Sequence, residues 1–413
     1  MSIYSRRKFI SFSGSGLLLA SMPGCVSVSL PAGKRSIPFY RHQPETVAET
    51  TNAKALDRLA DLFYDMLADG LHPGAQLAVF KDGKPVIHLG GGVLKPGGAA
   101  VTERTLFQIR SITKALTATV LLMLHDKGHF TFDDPISHHW PGFEKNGKGE
   151  ITIGQLMSHR AGLTERAGLR MVDYENRAAI VKAMENLSPV WDPGTDNGYH
   201  ASNAGWILDE LILRWEGRSF AEIIRSDILK PLGIDNLFIG LSESDYPRMA
   251  RMQVDGNLRQ RQPARALFSD YLNRYALIRL QLSWVSGVAN AVDLAQFFNI
   301  LAFEGRYRGQ TFFSGKTFQR ASSSTTRPGA IDRVLLRHIQ WGLGFILGSS
   351  PDIYGDPTHP HAIGHPGGGA NVAWADPDLH LSAAFLCNAM LPQYTAWGQR
   401  YRQIGNAVYA CFT

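Results

Sequence analysis

A chain of 413 residues, with 44% hydrophobic and only 19% charged residues, is long enough for one large domain or two, and its composition excludes a disordered protein. The formal net charge is +6, and without Arg6, Arg7 and Lys8 at the N-terminus the body carries only +3. That small charge, with no basic run in the body, argues against nucleic acid as a partner. No metal-ligand spacing is present either, so we expect neither a metal nor an organic cofactor.

The N-terminus, "SRRKFISFSGSGLLLASMPGC", predicts an export signal over residues 1-25. The adjacent Arg6 and Arg7 precede a short, weakly apolar segment, which is typical of the twin-arginine route; the alternative is a basic anchor helix. Cys25 follows a sequence that loosely resembles a lipoprotein cleavage box, so either lipidation at Cys25 or simple cleavage nearby is expected. We therefore expect a periplasmic protein or a membrane-anchored lipoprotein that contacts the membrane only through such an anchor.

The first elements after the signal are a tether, a helix and a hairpin. Residues 26-50 lack periodicity and predict the tether. From residue 55, "ALDRLADLFYDMLADG" has helical spacing and ends at a glycine. The next segment, "AQLAVFKDGKPVIHLGGGV", consists of two β-rich runs around Asp-Gly, which indicates a hairpin.

The rest of the chain is helical in the middle and returns to strands at the end. Helical patterns dominate residues 105-290, and "GANVAWADP" and "LHLSAAFLCNAM" read as late strands before a final helix at about 394-411. Strands at both ends predict an α+β domain over 51-413, with an antiparallel sheet formed from both termini, flanking helices and a mostly helical insertion. Cys387 and Cys411 either form a disulfide or are two buried thiols.

One short motif, "RSITKALT" at residues 110-117, carries the chemistry. Ser111 opens an apolar helix, where a free backbone N–H is available to an oxyanion, and Lys114 lies one turn deeper on the same face. Loss of solvation lowers the pKa of such a lysine, so that it can act as a base. The alternative is a helix cap at Ser111 and a solvent-reaching Lys114, and the same spacing at Ser5 and Lys8 has no catalytic meaning.

Several motifs in order resemble the serine β-lactamase and penicillin-binding superfamily, in its class C-like and esterase-like branch. They are "TLFQIRSITKALTA", "GHFTFDDPISHHWPGF", "ITIGQLMSHRAGL", "WDPGTDNGYH", "GLGFILG" and "GHPGGGANVAWADP", which together span about residues 70 to 390. The resemblance implies the β-lactamase/transpeptidase-like fold. An ordered set of this kind is far more specific than any one of its motifs.

The resemblance also implies roles. Ser111 would be the acylated nucleophile, Lys114 its proton partner and Tyr199 the second member of the acid–base pair; outside this context Tyr199 would be read as a core residue. His365 and Gly367 would stand in the family's substrate-binding triplet, and the backbone N–H groups of Ser111 and Gly368 would form the oxyanion hole.

Two departures from the family pattern concern the substrate. Ala201 stands where lactam and peptide enzymes usually have asparagine, and Asn203 would need a local shift to replace it. His365 replaces a lysine and is largely neutral near pH 7.

We therefore predict a carboxylesterase for small or medium acyl esters. The alternatives are a β-lactamase or D-alanyl-D-alanine carboxypeptidase, and a catalytically idle protein that binds cell-wall fragments. Residues 243-283 are either a lid or specificity loop or a surface insertion.

Overall fold

The computed structural model describes residues 37–44, 51–165, 167–254, 256–391 and 394–412. The predicted export signal, with Cys25, lies outside these residues and stays a prediction. Within the described ranges, no helix is long and apolar enough to cross a membrane.

The main sheet of the described chain has seven antiparallel strands in the order β1-β3-β2-β12-β11-β10-β9. A smaller sheet has the order β4-β6-β5, and β7 pairs with β8. The strands are β1 Phe39–His42, β2 Gly74–Lys81, β3 Lys84–Gly92, β4 Phe107–Gln108, β5 Leu237–Ile239, β6 Gly287–Ala289, β7 Arg306–Tyr307, β8 Gln310–Thr311, β9 Ile346–Leu347, β10 Ile363–Gly367, β11 Asn371–Asp376 and β12 Leu381–Cys387.

The centre of the main sheet joins the two ends of the chain. Strand β12 pairs with β2 in a register that runs from Leu381 opposite Lys81 to Cys387 opposite Ala75. The predicted α+β fold, with a sheet built from both termini, is therefore confirmed. Asp82 and Gly83, both with positive φ, form the turn between β2 and β3, which is the geometry that an Asp-Gly hairpin requires.

Strand β1 corrects one expectation. It lies inside the segment 26-50 that was predicted to be a tether, yet it pairs with β3 along its whole length, from Phe39 opposite Gly91 to His42 opposite His88. The prediction of a tether is therefore wrong for these four residues. A short edge strand gains its hydrogen bonds and its buried side chains from the neighbouring strand, so its own sequence carries little signal.

Helices cover both faces of the main sheet and form the insertion. They are α1 Ala53–Ala68, α2 Thr113–Asp126, α3 Ile136–His139, α4 Ile153–Met157, α5 Arg177–Asn186, α6 Asn203–Glu216, α7 Phe220–Ile223, α8 Lys230–Leu232, α9 Gly256–Arg261, α10 Pro263–Leu272, α11 Tyr275–Ile278, α12 Ala291–Ala302, α13 Gly315–Ser322 and α14 Tyr394–Tyr409. Along β2, Leu77 and Val79 join the core that contains α1 and α14, whereas Ala78 and Phe80 join the core that contains α2 and α12. This alternation is what a strand buried on both faces requires.

The two late cysteines are separate buried thiols. Cys387 ends β12, Cys411 follows α14, and both are free. Burial raises the pKa of both, to about 11 for Cys387 and about 12 for Cys411. Neither thiol is therefore a reactive nucleophile near neutral pH.

Asn371 ties the main sheet to the start of the nucleophile helix. Its side chain is fully buried, donates to the Gln108 carbonyl at 2.8 Å and accepts from the backbone N–H of Cys387 at 2.6 Å. We expect Asn371→Ala to lower the free energy of unfolding by about 2 to 4 kcal/mol, because two buried backbone groups lose their partner. Urea unfolding followed by circular dichroism measures this.

The matched control is Asn176→Ala, which removes an exposed helix cap at α5. This variant should lower the free energy of unfolding by about 1 kcal/mol. Equal losses for the two variants would contradict a special role for Asn371.

Candidate active site

The chain turns sharply between β4 and α2, and Ser111 lies in this turn. Arg110 has a φ of 55°, and Arg110–Ile112 form one 3₁₀ turn before α2 begins. The Thr113 hydroxyl clamps the turn: it donates to the Arg110 carbonyl at 2.6 Å and accepts from the backbone N–H of Gly287 at 3.0 Å. Ser111 therefore stands at the beginning of a helical run, where backbone N–H groups have no carbonyl of their own helix to bind.

Lys114 is buried one turn into this helix, with a side chain that is 8% exposed. Its Nζ donates to the Trp284 carbonyl at 3.1 Å and lies 4.9 Å from the centre of the Tyr199 ring. Burial, assisted by the nearby positive charge of Arg110, lowers the pKa of Lys114 to about 7. The amine is therefore available as a base near neutral pH.

Tyr199 is held between two aromatic neighbours. Its ring lies parallel to that of Trp341, with 5.8 Å between the ring centres, and meets the ring of His159 edge-on at 5.1 Å. Its backbone N–H donates to a carboxylate oxygen of Asp332 at 3.1 Å. These contacts fix the phenol beside the Lys114 amine.

Asp332 was not predicted as a site residue, because no motif in the sequence contains it. It is 1% exposed and accepts from the Trp341 indole N–H at 3.0 Å and from the backbone N–H groups of Tyr199, Val334 and Leu335 at 2.8–3.1 Å. One carboxylate thus positions both Tyr199 and the ring on which it stacks. No motif surrounds Asp332, so its role depends on contacts between distant segments.

His159 was also not predicted as a site residue, although it lies in the motif "ITIGQLMSHRAGL". It has a left-handed φ of 58° and is buried. Its Nδ1 accepts from the backbone N–H of His200 at 3.2 Å, so it is a neutral imidazole. Burial, followed by the neighbouring His200 and Lys114, holds its pKa well below the usual range.

His365 lies on β10 and is 2% exposed. Its Nδ1 is 2.6 Å from the Pro366 carbonyl, an acceptor only, so Nδ1 carries the hydrogen and Nε2 is an acceptor. Among the described residues Nε2 has no hydrogen-bond partner. Burial, followed by the charge of Lys114, lowers the pKa of His365 to about 3. This position therefore offers a neutral imidazole and no cation.

The glycines after His365 serve two different needs. A methyl group on Gly367 would lie 2.3 Å from the Ile109 carbonyl oxygen, so only glycine lets β10 approach the nucleophile turn. A methyl group on Gly368 would meet nothing within 4 Å. The space beside Gly368 is therefore open to a ligand.

The structure brings most of the predicted site residues to one cavity of about 110 Å³. Its lining includes Ser111, Tyr199, His365, Gly367 and Gly368. Lys114 lines a separate cavity of about 30 Å³, and its Nζ lies over the Tyr199 ring. A hydroxyl, a phenol and an amine with a pKa of about 7 can together carry out nucleophilic attack with proton transfer.

In the part of the chain that the structure describes, no group of three or more His, Cys, Asp or Glu side chains is placed to hold a metal ion. The ion pairs among the same residues do not include Lys114.

The structure also shows the surroundings of Ala201 and Asn203, which bear on substrate choice. Ala201 is exposed at the start of the turn before α6 and offers no amide. Asn203 is 3% exposed and donates to the Leu163 and Glu165 carbonyls, at 3.0 and 2.6 Å. Because its amide N–H groups are engaged there, Asn203 does not replace the missing asparagine.

Comparison with known proteins identifies a family and similar structures. The family model described as beta-lactamase matches residues 59–405. One similar curated protein is the "Esterase/beta-lactamase LipL" of Mycobacterium tuberculosis, which is 26% identical over 346 residues, 77% of each chain.

Two solved structures are similar over most of this chain. A family VIII carboxylesterase has 27% identity and a TM-score of 0.77, with 87% of this chain and 98% of the other covered. A penicillin-binding protein homologue from Caulobacter crescentus has 27% identity and a TM-score of 0.76 at the same coverage.

The buried amine should lower the stability of the fold. Since folding lowers the pKa of Lys114 from 10.5 to about 7, the unfolded chain binds one more proton between these values, and stability rises with pH there. We expect Lys114→Met to raise the free energy of unfolding by about 2 to 4 kcal/mol at pH 7. This gain in stability should become smaller as the pH approaches 10.5. Urea unfolding at several pH values measures this.

Lys54→Met, on the exposed surface of α1, is the control and should change stability by less than about 0.5 kcal/mol. A Lys114→Met variant that is less stable than the wild type at every pH would contradict the argument.

Proposed function

The chain belongs to the β-lactamase family, and we propose that it is a serine hydrolase that cleaves carboxylic esters with small or medium acyl groups. The observation that carries the ester assignment is the neutral imidazole of His365, which stands where the sequence resemblance places a lysine. Without that cation, and without an amide at Ala201, the site lacks two groups suited to the carboxylate and acylamino groups of lactams and peptides. A simple ester requires neither.

Acylation follows from the arrangement of Ser111, Tyr199 and Lys114. The Ser111 hydroxyl attacks the ester carbonyl while its proton passes to the Tyr199–Lys114 pair, whose amine is about half in the neutral form at pH 7. The backbone N–H groups of Ser111 and Gly368 stabilise the oxyanion. The C–O bond then breaks, and the alcohol leaves with a proton delivered through Tyr199.

Deacylation reverses the same proton path. Water attacks the acyl-enzyme carbonyl and gives its proton to the Tyr199–Lys114 pair, and the proton returns to the Ser111 oxygen as the carboxylic acid leaves. Burial of Lys114 supports this cycle, because an amine with a pKa near the working pH can both accept and release the proton.

A second candidate is a β-lactamase or D-alanyl-D-alanine peptidase. It is favoured by the names of relatives, which include both "Esterase/beta-lactamase LipL" and penicillin-binding proteins. A catalytically idle cell-wall-fragment binder is the third. The three differ in whether Ser111 becomes acylated and by which substrate.

A fluorophosphonate probe and two substrates separate these candidates. We expect the probe to label the wild type and not Ser111→Ala, and p-nitrophenyl butyrate to be cleaved much faster than a chromogenic cephalosporin. Ser111→Ala should lower kcat by about a thousandfold or more, because the nucleophile is lost.

The control is Ser323→Ala, an exposed serine beyond α13. It should leave labelling and turnover unchanged. Rapid cephalosporin turnover with negligible ester cleavage would overturn the ester assignment, and failure of the wild type to react with the probe would favour the idle binder.

The pH profile tests Lys114 as the base. Since the base must be neutral, kcat/KM for the ester should rise about tenfold per pH unit on the acid side and level off above a midpoint near 7. Lys114→Arg, which keeps a positive charge that does not titrate in this range, should be inactive throughout.

A kcat/KM that stays flat between about pH 5 and 9 would exclude Lys114 as the base. Circular dichroism of Lys114→Arg verifies that the variant is folded.

A further inference from the structure

Arg110, directly before the nucleophile, is a partly buried cation, and the ionisable groups that interact with it electrostatically are Tyr199 and Lys114. Its carbonyl accepts from Thr113, but among the described residues no hydrogen-bond acceptor or carboxylate contacts its guanidinium. Other arginines of similar exposure are paired, such as Arg218 with Asp227 and Arg248 with Asp245. Burial lowers the pKa of Arg110 only to about 10, so its charge persists at neutral pH.

Arg110 lies where two cavities meet beside the site. We call residues 259–288 the cap. One cavity, the cap cavity of about 170 Å³, lies between Arg110 and residues 268–288 and has mostly apolar walls. The other is an entrance groove of about 660 Å³ that includes Arg110, residues 262–265 of the cap and Gly368. Arg110, Phe268 and Leu272 line both. Because Gly368 belongs to the groove and to the site cavity, a ligand in the groove is continuous with the reacting carbonyl.

The acids near this segment are already engaged. Asp270 of α10 pairs with Arg259 at 2.9 Å, and Glu175 pairs with Arg279 at 2.5 Å. Among the described residues, the guanidinium of Arg110 therefore has no protein anion to neutralise it. A substrate carboxylate that enters the groove would form charge-assisted, bidentate hydrogen bonds there.

We propose that Arg110 binds a carboxylate of the substrate, so that the preferred substrates are esters with a second, free carboxylate a few bonds from the scissile carbonyl. Because Arg110 and Ser111 are adjacent in the chain and Gly368 lines both the groove and the site cavity, we expect a short linker between the two groups of the substrate. This inference rests on the proposed function and adds the substrate class. It also assigns residues 262–272 a role as a wall of the substrate groove.

Three esters test the proposal. Monoethyl glutarate carries the carboxylate on the acyl side, the butyrate ester of glycolic acid carries it on the alcohol side, and ethyl butyrate is the neutral match. Titration of released acid at constant pH gives kcat and KM. We expect kcat/KM for at least one anionic ester to exceed that for ethyl butyrate by about tenfold or more.

Arg110→Gln should lower kcat/KM for the preferred anionic ester about ten- to hundredfold more than it lowers kcat/KM for ethyl butyrate, mainly through KM. Arg110→Lys should recover part of the loss, since it keeps the charge and loses the planar fork. Arg259→Gln, on the outer face of the cap, is the control and should affect the three esters alike.

Two results would overturn the inference. One is an equal preference of the wild type for neutral and anionic esters. The other is an equal loss on all esters in Arg110→Gln with a displaced pH profile, which would mean that Arg110 acts only on the pKa of Lys114.

A binding measurement separates this inference from the proposed function. Calorimetry with glutarate and Ser111→Ala needs no turnover, and the heat of binding should disappear when Arg110→Gln is added. Retained binding in the double variant, or none in either protein, overturns the role of Arg110. If glutarate binds in this Arg110-dependent way but the wild type neither hydrolyses an ester nor reacts with the fluorophosphonate, the proposed function is overturned and the role of Arg110 stands.

Discussion

The contact between strand β10 and the turn that carries Ser111 is the constraint on which the site depends. The two segments approach so closely that a side chain on Gly367 would collide with the Ile109 carbonyl oxygen, 2.3 Å away. Asn371, at the start of the next strand, secures the same junction through the Gln108 carbonyl. Since β10 belongs to the C-terminal half of the sheet and Ser111 to the helical part, this contact brings His365 and Gly368 to the nucleophile.

The electrostatics of the site are set by buried basic side chains that form no ion pair with a carboxylate among the described residues. Burial lowers the pKa of Arg110, Lys114, His159 and His365, and only Arg110 keeps a full charge at neutral pH. An acidic partner would stabilise the charged form of Lys114 and raise its pKa. The same low polarity that makes the amine a base also makes its charged form costly to bury, so stability and reactivity oppose each other at this residue.

Trp284 connects this base to the cap. Its carbonyl accepts from Lys114, its ring lines the cap cavity, and a methyl group on Gly205 would lie 2.3 Å from that ring. The segment that lines the cap cavity therefore also contacts the lysine. Under our proposal, a change in the cap that favours another substrate would act on the base through Trp284.

The local parts of the fold could be predicted from the sequence because their causes are local. Helical spacing predicted α1, and the Asp-Gly pair predicted the β2–β3 hairpin. Strand patterns at both ends of the chain predicted the sheet formed from both termini. Ordered motifs gave Ser111, Lys114, Tyr199 and His365 as site residues, although their catalytic roles stay predictions. By contrast, strand β1, the contacts of Asp332 and the lack of a carboxylate beside Arg110 among the described residues depend on segments far apart in the chain. The sequence alone determined which chemical groups are available; the tertiary structure decided their protonation and partners, because burial and contact arise only when distant segments pack together.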